Sequence, residues 1–138
     1  MIEVTELREV LKRRNALLEQ VLGITRKQPG LIEGEETDQL LANIAQRQRL
    51  IDELVELTTG LPEENRRARD PECFALDRES RELYERIAAQ DKDNEQSAQK
   101  RLDDIRARLR MLQEERTAFT AYEKAGGDPG GTYFDKRK

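Results

Sequence analysis

The sequence predicts an all-α fold: an elongated antiparallel helical hairpin and one long third helix in a coiled-coil-like bundle, followed by a flexible glycine-rich tail. Charged residues make up 39% of the 138 residues and aromatic residues 4%, which favours long helices packed along narrow seams. The apolar residues recur at intervals of three and four, as on one face of a helix. We therefore expect a single helical domain over residues 1–125 and a tail over residues 126–138.

The first predicted helix covers residues 3–28. Arg14 lies within its apolar stripe, which consists of Val4, Leu7, Leu11, Leu18, Val21 and Leu22. Pro29 and Gly30 predict the end of this helix, because they are strong helix breakers and proline disfavours helical angles at the residue before it.

The second predicted helix covers residues 36–58 and ends before Thr59-Gly60. Its expected seam consists of Leu40, Leu41, Ile44, Ile51, Leu54, Val55 and Thr58. The connection between the two helices is short, so we expect them to be antiparallel neighbours. Residues 61–70 are polar and basic and predict one or two helical turns at most.

The third predicted helix covers residues 71–125, with Asp70 as its cap and Pro71 in its first turn. At 1.5 Å per residue it is roughly 80 Å long, about twice the length of the hairpin. Phe74, Leu76, Leu83, Tyr84 and Ile87 precede a stretch, residues 88–101, that has no apolar side chain larger than alanine. Two alternatives follow: the helix breaks near residues 91–97, or it continues and the hairpin leaves one apolar block uncovered.

A second apolar block follows the polar stretch, and we call it the ladder: Leu102, Ile105, Leu109, Leu112 and Phe119. Full burial of five such side chains is worth roughly 8–15 kcal/mol. The ladder therefore needs a cover, which is this chain, a second copy or a different protein. We expect it to be at least partly free and to bind a partner.

The composition excludes several classes of function. Histidine is absent, which removes Ser-His-Asp and Cys-His catalysis and the Glu-x-x-His di-iron sites of helical bundles. The net charge is −4 with both signs interleaved, so no global field attracts nucleic acid or a membrane surface. No apolar run reaches the roughly 20 residues of a membrane span. We expect a cytoplasmic protein that is not an enzyme and holds neither metal nor cofactor.

Other candidate sites are weaker. A basic run that could bind phosphate consists of Lys100, Arg101, Arg106, Arg108 and Arg110. Acidic residues lie at ion-pairing distances from it along the helix, and no aromatic residue is interleaved to stack nucleic-acid bases. We therefore expect a solvated, salt-bridged face.

The acidic residues of the third helix do not predict a calcium site. An EF-hand requires a glycine turn, which is missing around Asp91, Asp93, Asp103 and Asp104. Cys73 lies in the first turn of a helix, where a thiolate is mildly favoured, yet no base adjoins it.

The closing residues contain two adjacent aromatic side chains, Tyr133 and Phe134, after a glycine-rich linker. In form this is a short linear motif. The alternatives are a disordered end and a segment that docks on this chain, a second copy or a partner.

Three short stretches carry a resemblance to a known family. They are Leu40-Leu41-x-x-Ile44 with Gln46-Arg47-Gln48-Arg49-Leu50-Ile51-x-x-Leu54, the polar stretch through Asn94 before a leucine-rich end, and Tyr133-Phe134-Asp135-Lys136. Together they resemble the FlgN/FliT-like flagellar type III export chaperones. The family's repeated asparagine pattern appears here only as Asn94, and residues 62–71 match no family feature.

The resemblance implies a cytoplasmic, non-enzymatic chaperone that binds the C-terminal helical segment of flagellar hook-filament junction proteins. In the family, the substrate binds towards the C-terminal helix, which maps onto the ladder. The alternative is a structural coiled-coil or adaptor protein that acts through homo-oligomerisation, with the ladder paired against a second copy.

Overall fold

The computed structural model describes residues 2–126, and all of their regular structure is helical. Four helices follow one another: α1 (Val4–Glu33), α2 (Thr37–Thr58), α3 (Glu64–Arg67) and α4 (Pro71–Gly126). The all-α prediction is confirmed, and no strand occurs within this described range. The chain forms two compact units, the first ending at Ala98 and the second beginning at Gln99.

Helix α1 passes through Pro29, so the predicted end at Pro29-Gly30 is wrong. Proline has no amide hydrogen to donate to the carbonyl four residues earlier, which is that of Thr25. Here the side chain of Asn94 replaces the missing donor, because its Nδ2 lies 2.9 Å from the Thr25 carbonyl oxygen. The helix continues for one more turn, in which Leu31 and Ile32 are partly buried.

The first unit is built around α1. Hydrogen bonds join Arg13 to Glu53 and Gln28 to Asn43, so α1 and α2 run antiparallel. The first part of α4 runs parallel to α1, since Asn15 bonds to the carbonyl of Leu76 and Asn94 to that of Thr25. The larger of two apolar clusters combines all three helices: Leu17, Leu18, Val21, Leu22, Leu54, Leu83 and Ile87.

The second apolar cluster lies near the start of α4 and consists of Leu7, Leu11 and Cys73. The predicted cap of α4 is confirmed, since Asp70 Oδ2 accepts a hydrogen bond of 3.0 Å from the backbone N–H of Cys73. Helix α2 ends as Thr59-Gly60 predicts, with Gly60 at a φ of 83° that favours glycine.

Some residues assigned to the seams from sequence are exposed. On α1 this applies to Val4, and on α2 to Leu41, Ile44 and Val55. Leu54 alone among the predicted α2 seam residues is buried, and Leu50, Ile51 and Leu57 pack partly buried against the same cluster. Since Leu50 and Leu57 are not in the predicted seam, the contact stripe of α2 is displaced from the predicted one. Phe74 and Tyr84 of α4 are also about half exposed.

Helix α4 continues through residues 91–97 without a break, so the alternative in which the helix breaks there is wrong. Gln28, Asn43 and Asn94 form a buried polar layer here, and each of their side chains is hydrogen-bonded. Gln90 completes the layer by donating to Asn94 Oδ1 at 2.8 Å. No described residue after Asn94 is buried.

Candidate partner-binding surface

The ladder lies on α4, within the second unit. Its five side chains are all exposed: Leu102 41%, Ile105 41%, Leu109 53%, Leu112 60% and Phe119 51%. They follow one another at intervals of three, four, three and seven residues, so they lie along one stripe of the helix. An apolar stripe of this kind can bind the apolar face of another helix.

Two further apolar residues on this part of α4 are exposed, Met111 and Tyr122, and neither belongs to the set predicted from sequence. Tyr122 follows Phe119 by three residues, one helical turn along the same side. Arg116 occupies the ladder position between Leu112 and Phe119. Tyr122 lies beside the stripe rather than in it, because after Phe119 the alternation of three and four residues places the next stripe position at residue 123.

Three basic residues of the run around the ladder lack, within the described chain, the acidic partners expected from sequence. Within the described chain, no acidic group lies within 4.0 Å of the guanidinium groups of Arg106, Arg108 or Arg110. Asp103 instead accepts a hydrogen bond of 3.0 Å from Gln99 Nε2. Exposed ion pairs gain little in water and lose side-chain entropy, so the pairs need not form.

Tyr133 and Phe134, the other two residues predicted to bind a partner, lie outside the described residues.

A buried ion cluster in the first unit is the main polar feature that sequence reasoning passed over. Arg14 Nη1 and Arg67 Nε both donate to Asp77, with N–O distances of 2.9 and 3.0 Å. Arg14 also donates to Asn15 and to the carbonyl of Leu76. The cluster joins α1, α3 and α4. Because its charges and hydrogen-bonding groups are paired with one another, we interpret it as a structural feature rather than a binding site. The one sequence signal was a charged residue, Arg14, inside an apolar stripe.

The thiol of Cys73 is fully buried, and the mild preference for a thiolate expected from its position is wrong. Burial raises the pKa of Cys73 to about 11, and the neighbouring Asp70 carboxylate contributes to that rise. The Arg8 guanidinium, hydrogen-bonded to Asp70, holds the pKa of that carboxyl well below its usual value of 3.8. This thiol is therefore protonated and inaccessible at neutral pH.

Residues 2–126 contain neither a metal-binding cluster nor a membrane-spanning helix. No group of three or more Cys, Asp or Glu side chains in this range is arranged to hold a metal ion. None of the helices in this range combines the length and the apolar character required to cross a membrane.

Comparison with protein-family models, with curated proteins and with solved structures finds no match to this chain.

Proposed function

We propose that this chain is a cytoplasmic, non-enzymatic export chaperone with the architecture of a helical hairpin plus a long third helix. It binds the C-terminal helical segment of flagellar hook-filament junction proteins and masks that segment before type III secretion. The exposed ladder is the observation that carries this proposal. The resemblance of three sequence stretches to the FlgN/FliT-like chaperones supplies the class of partner.

The ladder suits helix recognition energetically. About half of each side chain is exposed, so covering all five is worth about 4–7 kcal/mol. The apolar stripe of the partner helix contributes a similar amount. Association and side-chain ordering cost several kcal/mol in return. With a cost of about 4 kcal/mol, about 4–10 kcal/mol of favourable binding free energy remains, which corresponds to dissociation constants from about 1 mM to below about 1 μM.

The direct test is calorimetric titration of the full chain with a peptide from the helical C-terminus of a hook-filament junction protein. Leu109→Glu places a carboxylate in the middle of the ladder and is expected to weaken binding at least thirtyfold, since burial of an unpaired carboxylate costs more than about 2 kcal/mol. Thr117→Glu is the matched control. It adds the same charge at an exposed position of α4 that lies off the ladder.

Circular dichroism of both variants separates binding from folding. We expect each to keep the helical signal of the wild type, because Leu109 is 53% exposed. Equal binding of a scrambled peptide would contradict the proposal, as would equal effects of the two substitutions. Loss of helical structure in Leu109→Glu would assign the ladder to the folded core instead.

Tyr133 and Phe134 enter the proposal as candidate second contacts with the same peptide. Replacement of both by alanine is expected to weaken binding about fivefold, a typical loss for aromatic contacts of modest burial. Unchanged affinity would remove the tail from the binding surface and leave the ladder as the site.

A further inference from the structure

The ladder has the spacing of a heptad repeat, so the side chains beside a pairing helix can be assigned. Positions 102, 109 and 116 alternate with positions 105, 112 and 119 along the seam. One flank of the seam then carries Arg101, Arg108, Glu115 and Tyr122, and the other carries Gln99, Arg106, Gln113 and Thr120. These flanking residues determine which orientation of a second helix is favourable.

A parallel pairing of two copies is unfavourable on this pattern. In a parallel pair each residue of the first flank meets a residue of the opposite flank five positions further along. Arg101 then lies beside Arg106 of the second copy, and symmetry repeats this like-charge contact. The remaining flank pairs, Arg108 with Gln113 and Glu115 with Thr120, contain no opposite charges that would offset the repulsion.

An antiparallel pairing is self-complementary. Leu102 then packs against Phe119 of the second copy and Leu109 against Leu112, and symmetry repeats each layer. On the flank, Arg108 meets Glu115 of the second copy, which gives two ion pairs across the seam. Neither residue has an ion pair within 4.0 Å in the described part of its own chain.

The other antiparallel contacts are tolerable. Arg106 meets Gln113 of the second copy, and no like charges face each other on either flank. Arg116 lies opposite Ile105, where its aliphatic stem can cover the isoleucine while its guanidinium group reaches water. The seam is therefore apolar at its centre and charge-matched at its edge.

We propose that a second copy of this chain covers the ladder in an antiparallel, two-fold dimer held by the Leu109–Leu112 layers and the Arg108–Glu115 ion pairs. The occupant is the chain itself because its own flanking charges match when it is turned end to end. The dimer does not depend on the identity of a substrate. Since a substrate helix would use the same stripe, the second copy and the substrate exclude each other.

Charge reversal tests the proposal by sedimentation equilibrium over a range of protein concentrations. Arg108→Glu and Glu115→Arg each replace two attractions by two repulsions, and each is expected to raise the dimer dissociation constant about tenfold. The double variant Arg108→Glu, Glu115→Arg restores both pairs with reversed polarity. Its dissociation constant is expected to return to within about threefold of the wild-type value.

Arg110 and Glu114 provide the matched control, because they have the same charges but lie on the outer side of the helix, away from the seam. Arg110→Glu and Glu114→Arg are expected to leave dimerisation unchanged. A wild-type chain that stays monomeric up to about 1 mM, or a double variant as weak as the single ones, would overturn the proposal. Titration with the junction-protein peptide is a separate measurement, so loss of the dimer and loss of the proposed function are distinguishable.

Discussion

Asn94 and Pro29 are expected to be energetically coupled. Proline leaves the Thr25 carbonyl without its helical donor, and Asn94 Nδ2 supplies a replacement at 2.9 Å. Asn94→Ala removes this donor from a buried carbonyl. In a Pro29→Ala background, the amide hydrogen of residue 29 is restored and can donate to the same carbonyl. The cost of Asn94→Ala is therefore expected to be smaller in that background.

The magnitude follows from the bonds that Asn94 makes. Its side chain also donates to Gln28 Oε1 at 3.1 Å and accepts from Gln90 Nε2 at 2.8 Å. Net losses of about 1 kcal/mol per hydrogen bond, with a similar penalty for the orphaned carbonyl, give about 2–4 kcal/mol for Asn94→Ala. In the Pro29→Ala background the backbone N–H of residue 29 can donate to the Thr25 carbonyl, so Asn94→Ala no longer leaves that carbonyl without a hydrogen bond. The coupling free energy is therefore expected to be about 1 kcal/mol.

Urea unfolding followed by circular dichroism measures the four free energies of the cycle. Asn43→Ala is the matched control, because Asn43 belongs to the same buried layer but donates to Ile24, whose helical donor Gln28 has its own amide hydrogen. Its coupling to Pro29→Ala is expected to stay below about 0.5 kcal/mol. If Asn94→Ala and Asn43→Ala were equally coupled to Pro29→Ala, the claim that Asn94 replaces the hydrogen-bond donor missing at Pro29 would be refuted.

Three further predictions concern the first unit. Asp77→Ala is expected to lower the free energy of unfolding by about 3–5 kcal/mol in urea, since it leaves Arg14 buried without its ion partner; a loss below about 1 kcal/mol would contradict this. The folded pKa of Asp70 is depressed by Arg8, so its contribution to stability is complete above about pH 4 and lost as the pH falls further. Urea melts in acid should therefore show a shallower decline for Asp70→Asn than for the wild type, and an identical decline would argue against this. Cys73, with its pKa raised to about 11, is expected to react with iodoacetamide at pH 8 only as fast as the chain unfolds, whereas rapid labelling in native buffer would show an accessible thiol.

The sequence predicts the helices well because apolar periodicity and capping residues act locally. Asp70 caps α4 as expected, and Gly60 adopts the left-handed conformation after α2. The end of α1 is the main error. Pro29 breaks a helix when nothing compensates for its missing donor, and here the compensation comes from Asn94, a residue distant in sequence. No local pattern reports such a contact.

Tertiary contacts also explain the wrong predictions for Cys73 and for the seam of α2. Helical position alone favours a thiolate at Cys73, but burial against Leu7 and Leu11 reverses that preference. Apolar spacing on α2 predicts contacts for Leu41, Ile44 and Val55, which are exposed, whereas Leu50 and Leu57 pack against the core instead. Periodicity identifies which side chains share a face, and only the tertiary packing decides which of them are covered.

For the ladder, one property can be predicted from the sequence and another cannot. Its spacing makes it recognisable in the sequence, whereas its exposure is visible only in the structure. Spacing along the helix also predicts intrahelical ion pairs for the flanking charges. The structure leaves Arg108 and Glu115 without such partners within the described chain, so both charges can pair across a seam instead.

The central claim is that the ladder binds a helix, and hydrogen–deuterium exchange measured by mass spectrometry tests it most directly. The full chain is compared with and without a saturating peptide from the helical C-terminus of a hook-filament junction protein, at a protein concentration that keeps the free chain monomeric. We predict that slowed exchange is concentrated in residues 99–125. Unchanged exchange there, or protection confined to residues 2–98, would contradict the account.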